Sequence, residues 1–111
     1  MTGEELIADG WRHFDPSPMC RYDALYQIRV RDGSGMRYFV NVTHWRHSKY
    51  AAGNPDGWEA EVTYNDGCAF HKPAATRVAT WSVADWSPAD VRRWAEELWG
   101  RLNPTYYEAN P

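Results

Sequence analysis

Two pairs of side chains in this sequence are of the types that hold a soft metal ion. They are His44 with His47 and Cys68 with His71, each separated by two residues. Imidazole nitrogen and thiolate sulfur in such pairs are how zinc is bound. Geometry argues against it here. Both pairs lie in or beside stretches that alternate like strands, where residues three apart point to opposite faces. Neither pair then closes on one ion unless a turn separates its members. No glycine of a tight zinc knuckle lies inside either interval. The expectation is no metal and no cofactor, with His44 ending a strand, His47 opening a loop, Cys68 packed under a helix and His71 facing outward.

Nucleophilic hydrolysis needs a nucleophile, a base and an orienting acid. Cys20 or Ser48, one of the histidines, and Asp23 or Glu61 supply the types, but none sits in a recognisable elbow. Glu59 and Glu61 share one face of a predicted strand and could lie on either side of a substrate, although acidic pairs on an exposed strand are usually solvated charge. Gly33 and Gly35 lie between two strands, without the following helix that gives phosphate loops their anion affinity. No catalytic residue is assigned.

The elements that would carry these residues are clearer. Ser87 reads as an N-cap, Pro88 occupies a position where a missing N–H costs nothing, and Asp90 sets negative charge at the positive end of the dipole. Val91, Trp94, Ala95, Leu98, Trp99 and Leu102 recur every three or four residues, which predicts an amphipathic helix over 87–103, stopped by Pro104. Residues 104–111 follow as a tail. Thr2 and Glu5 form a capping box for a short helix over 2–9, with Gly10 as its stop. The stretch from Trp11 to Arg21, with Pro16 and Pro18, reads as an irregular connection.

Between the helices the chain alternates with period two. Residues 22–31 place Tyr22, Ala24, Tyr26, Ile28 and Val30 on one face, and residues 36–45 do the same with Met36, Tyr38, Val40 and Val42. The apolar faces coincide if opposed residue numbers sum to an even value, as with Val30 opposite Met36 and Ile28 opposite Tyr38. A third strand runs over 58–64. Asn65, Asp66 and Gly67 suggest a hairpin into a fourth strand over 68–72, with Tyr64 opposite Cys68, Val62 opposite Phe70 and Glu61 opposite His71. Residues 77–83 offer a fifth. The predicted class is α+β, a single-layer antiparallel β-meander of four to five strands. One long C-terminal helix packs on its even-numbered face, and a short N-terminal helix accompanies it. All of residues 1–111 read as a single domain: helix and loop to 21, sheet over 22–83, then the helix and tail.

The opposite face of the first two strands carries Leu25, Phe39 and Trp45 among Gln27, Arg29, Arg37, Asn41 and Thr43. Three roles suit it. The N-terminal helix and the segment from Trp11 to Phe14 could cover it, a protein could dock on it, or unpaired bases could stack on it. The formal net charge of -3 disfavours direct binding to a nucleic-acid backbone, although local patches can oppose the overall sign.

Aromatic residues make up 15% of the chain and mean hydropathy is -0.73, so apolar content is concentrated in a few bulky side chains on polar segments. No stretch is long and apolar enough for a membrane span, and the first ten residues lack the apolar run of a signal peptide. A cytoplasmic location with Cys20 and Cys68 reduced is therefore expected. With no catalytic signature, the expected function is that of a small non-enzymatic inhibitor or adaptor acting by protein–protein interaction. Phage counter-defence proteins of the anti-CRISPR kind exemplify that class. Glu59, Glu61 and Asp66 would form an acidic edge for a protein or nucleoprotein complex with a basic surface, and Phe39 and Trp45 the neighbouring contacts. A small enzyme or metal protein centred on His44, His47 and His71, or a single-strand nucleic-acid binder, are the alternatives.

Overall fold

The structure is a computed structural model that describes residues 1–15, 22–33, 35, 37–45, 57–64, 78–81 and 83–109. Its elements are α1 (Gly3–Ala8), β1 (Arg12–Phe14), β2 (Tyr22–Arg31), β3 (Arg37–Trp45), β4 (Trp58–Tyr64), β5 (Val78–Trp81) and α2 (Pro88–Ala109). The five strands form one antiparallel sheet in the order β1-β2-β3-β4-β5. This is the expected α+β meander with a helix at each end.

Both helix starts follow from their caps. Thr2 Oγ1 accepts from the Glu5 N–H at 3.2 Å. In α2 the exchange is reciprocal: the Asp90 N–H donates to Ser87 Oγ at 3.1 Å, and the Ser87 N–H donates to Asp90 Oδ2 at 2.9 Å. Those bonds hold the Asp90 carboxyl below its ordinary range.

The other end of α2 departs from expectation. The helix continues through Pro104 to Ala109 instead of stopping at Asn103. Pro104 has no N–H to give the carbonyl of Gly100, but Gly100 is exposed, so water can take that acceptor and the helix can continue.

Both helices lie on the even-numbered face. Tyr26, Tyr38, Val40, Val42, Ala60 and Val62 form one buried cluster with Leu6 and Trp11 from the N-terminal segment and with Val83, Val91, Ala95 and Trp99. The Trp99 ring stacks on Tyr38 at 4.8 Å between centroids, and its Nε1 donates to Asp32 Oδ2 at 2.6 Å. Covering of the odd-numbered face by α1, one of the three roles considered for it, is thereby overturned.

Three further expectations need correction. The β2–β3 register is slipped by two residues, with Val30 opposite Tyr38 and Ile28 opposite Val40. The Asp32 carbonyl accepts from the Gly35 N–H at 3.0 Å, and Gly35 takes φ +89°, a turn that leaves the ladder between Arg31 and Arg37. A slip of two preserves the faces, so the core was unaffected.

The neighbours of Val62 are Val40 and Val78, and those of Glu61 are Asn41 and Ala79. The expected pairings of Val62 with Phe70 and Glu61 with His71 are therefore not made, because β5 takes that edge of β4. The proposed strand at 68–72 lies outside the described residues. Residues 12–14, read as loop, form a strand beside Gln27, Tyr26 and Leu25.

Candidate functional site

The odd-numbered face of the sheet holds most of the residues singled out for function. Arg12, Gln27, Asn41, Glu61 and Ala79 fall in one row across the five strands, and Phe14, Leu25, Thr43, Glu59 and Trp81 in the next. Arg29, Phe39 and Thr63 form a third row. Strand alternation assigns these residues to this face.

Glu59 and Glu61 are not a solvated pair. They are 7% and 8% exposed, and Asn41 beside them is 3% exposed. A carboxylate taken that far from water needs donors. Gln27 Nε2 donates to Asn41 Oδ1 at 2.9 Å, and Asn41 Nδ2 donates to Glu61 Oε1 at 3.1 Å, a chain of side-chain bonds along one row. Trp45 Nε1 donates to Glu59 Oε2 at 2.9 Å. Neither carboxylate is free. At the end of the same face of β4, Thr63 Oγ1 is buried with no hydrogen bond among the described residues. Asp66, the third member of the expected acidic edge, lies outside the described residues.

Phe39 and Trp45 are both half-buried on β3. A bulge between Tyr22 and Ala24 shifts the pairing so that Tyr22 opposes Trp45, and their rings meet edge to face at 6.4 Å. Tyr22 was expected to share the even-numbered face with Ala24. The extra residue at the bulge moves it to the other face and carries Asp23 toward His44.

That displacement assembles the one pair from the sequence's catalytic types that the described structure brings together. His44 Nδ1 lies 3.1 Å from Asp23 Oδ2, and its ring packs on Trp58 at 4.7 Å. Cys20, Ser48, His47, Cys68 and His71 lie outside the described residues. Among the described residues no group of three or more His, Cys, Asp or Glu side chains gathers in a way that could hold a metal.

A cleft of about 440 Å³ opens beside Trp99, bordered by Arg31, Asp32, Tyr38, Arg92 and Glu96. Burial pushes the Tyr38 phenol up, Glu96 and Asp32 push it further, and Arg92 opposes them. The strongest polar groups of the cleft are already used internally, Asp32 by Trp99 and Arg92 by Asp9. It reads as a joint between α2 and the sheet.

Sequence reasoning missed Arg12 and Phe14 as members of the odd-numbered face. Arg12 is exposed, its guanidinium 4.8 Å from the centroid of the half-buried Phe14 ring. Alternation over three residues is too short a signal to separate a strand from a loop.

No helix among the described residues is long and apolar enough to cross a membrane. No protein-family model matches the chain, and neither a curated protein nor a solved structure matches it.

Proposed function

We propose that the protein is a small non-enzymatic binding protein, an inhibitor or adaptor that docks the odd-numbered face of its sheet on a protein or nucleoprotein complex. The observation that carries this reading is the asymmetry of the sheet. Both helices are used on the even-numbered face, while the odd-numbered face carries half-buried Phe14, Leu25, Phe39 and Trp45 beside exposed Arg12, Arg29 and Arg37. Aromatic residues and arginine are the types enriched at the centres of protein interfaces.

A basic partner surface suits this face only toward β4. Glu59 and Glu61 present little charge to solvent at 7% and 8% exposure, and the exposed charge toward β2 and β3 is arginine. Phage counter-defence of the anti-CRISPR kind, acting in the cytoplasm, is the class that small size, net acidity and the lack of a catalytic signature suit.

The test is affinity capture from the native host with wild type, Phe39→Asp and Glu97→Lys, each checked for folding by circular dichroism. A partner held by wild type and Glu97→Lys and lost with Phe39→Asp supports the reading. A partner lost with Glu97→Lys and kept with Phe39→Asp assigns binding to the helices and contradicts it.

A second reading, a small enzyme at His44, is favoured by the His44–Asp23 pair, the orienting half of a hydrolytic triad. Loss of a hydrolytic activity on changing His44→Ala, with binding intact, would support it over the first.

A further inference from the structure

The exposed charges of this protein are unevenly divided between its two layers, although α2 also exposes Arg93 and Arg101 and β2 exposes Asp23. Glu4 and Glu5 of α1, Asp85, and Glu96 and Glu97 of α2 are exposed on the helical side. Arg29, Arg31 and Arg37 are exposed at odd-numbered positions of β2 and β3, and exposed Arg12 on β1 joins the same face through its pairing with Gln27. A net charge of -3 therefore says little about the field over the sheet.

The strand register concentrates these arginines. Arg31 stands directly opposite Arg37, Arg29 is two residues along from Arg31, and Arg12 pairs with Gln27 on the adjoining strand. From strand spacing and rise, the farthest two α-carbons of the set are about 17 Å apart. Like charges directly opposed across a ladder are destabilising. Among the described residues no carboxylate lies within ion-pair distance of any of the four. Arginine is also the side chain suited to forked recognition of phosphate oxygens.

Two rings are interleaved with the charges. The Arg12 guanidinium sits over Phe14, and Phe39 stands opposite Arg29, both rings half-buried with an accessible part. An acidic protein surface would engage the arginines through its carboxylates, whereas a single strand brings phosphates for the arginines and a flat π-face for each ring in one repeating unit.

We propose that the β1–β3 half of the odd-numbered face binds single-stranded nucleic acid, arginines on the phosphates and Phe14 and Phe39 under the bases. This rests on the binding role proposed above for the same face, and it names the nucleic-acid component of a nucleoprotein partner.

The test is fluorescence anisotropy with labelled 20-nucleotide single-stranded RNA and DNA of mixed sequence, a duplex of the same sequence, and poly-glutamate as competitor. Neutralising three or four phosphates gives a salt slope of about -2 to -3, a loss of roughly 20- to 50-fold between 50 and 200 mM salt. Arg29→Glu with Arg37→Glu should weaken binding at least tenfold, and Phe39→Ala should weaken single-strand binding while leaving any duplex binding unchanged. Arg101→Glu, on the exposed side of α2, should change neither. Arg29→Gln with Arg37→Gln repeats the test with a milder change should the reversal variant not fold.

Absence of single-strand binding at 50 mM salt would overturn the proposal, as would binding insensitive to the arginine variants. Competition by poly-glutamate as effective as by unlabelled oligonucleotide would assign the patch to an acidic protein and overturn it equally. A protein partner captured through Phe39 without oligonucleotide binding would refute this inference while leaving the broader binding role standing.

Discussion

Arg92 and Asp9 are joined twice across 83 residues of chain: Nε donates to Asp9 Oδ2 at 2.6 Å, and Nη2 to the Asp9 carbonyl at 2.7 Å. Trp11 Nε1 donates to the same carboxylate at 2.9 Å. The bond to the carbonyl uses a cation on α2 to satisfy backbone at the C-terminal end of α1, where acceptors lack intrahelical donors. Burial pushes the Asp9 carboxyl up, but the bonds from Arg92 and Trp11 and the Arg92 charge together outweigh it, leaving it below 3.8.

A depressed folded pKa contributes stability that is present above the unfolded value and lost as pH falls through the folded one. The melting-temperature gap between wild type and Asp9→Asn should accordingly be constant from about pH 5 upward and close as the solution is acidified below about pH 4. A gap independent of pH across that range would show that the carboxylate charge does not hold α1 to α2.

Removal of the Trp99 side chain should be among the costliest changes in the helix. It is 6% exposed, stacked on Tyr38 and bonded to Asp32, so Trp99→Ala should lose about 3–5 kcal/mol. Trp94 and Leu98 are only half-buried and should lose less. Arg93→Ala should stay within about 0.5 kcal/mol. Urea midpoints report all four. Equal midpoints for Trp99→Ala and wild type would mean that α2 does not close the core.

Gly3 tests the docking of α1. Alanine normally improves a helix position by about 1 kcal/mol over glycine. Here a Cβ on residue 3 would lie 2.9 Å from Tyr26 Cζ and nearer still to its hydroxyl oxygen. Gly3→Ala should therefore destabilise by about 1–3 kcal/mol, the range for overpacking a fitted site. A stabilised Gly3→Ala would place α1 elsewhere.

The parity of the sheet was legible in the sequence because burial on one face forces the period of two, and the parity survived the two-residue slip between β2 and β3. The start of α2 was legible because Ser87, Pro88 and Asp90 act locally. Pro104 misled because a proline's effect depends on whether the orphaned carbonyl can find water, and Gly100 is exposed. Glu59 and Glu61 misled for a different reason. Alternating glutamates look solvent-facing, and only the row Gln27–Asn41–Glu61, set by three strands at once, reveals a satisfied buried network. Arg29 and Arg37 were legible on the outward face by alternation, but the addition of Arg12 and the opposition of Arg31 to Arg37 appeared only once β1 and the β2–β3 register were in place.

That network gives opposite expectations for two neighbouring residues. Asn41→Ala removes a hydrogen-bond partner from both Gln27 and Glu61 and should cost about 1–3 kcal/mol. Thr63→Val deletes a buried hydroxyl that has no hydrogen bond among the described residues, at nearly constant shape, and should be neutral or stabilising. Thermal denaturation of the two variants distinguishes a satisfied polar row from one that tolerates loss.

The central claim, that the helices hold the fold and the odd-numbered sheet face binds, is tested most directly by mapping amide chemical-shift changes as single-stranded oligonucleotide is titrated into labelled protein. The changes should be largest at Arg12, Phe14, Gln27, Arg29, Arg37 and Phe39, with small shifts at Glu4, Glu5, Glu96 and Glu97. Shifts concentrated on α1 and α2, with the arginine-bearing strands unmoved, would contradict it.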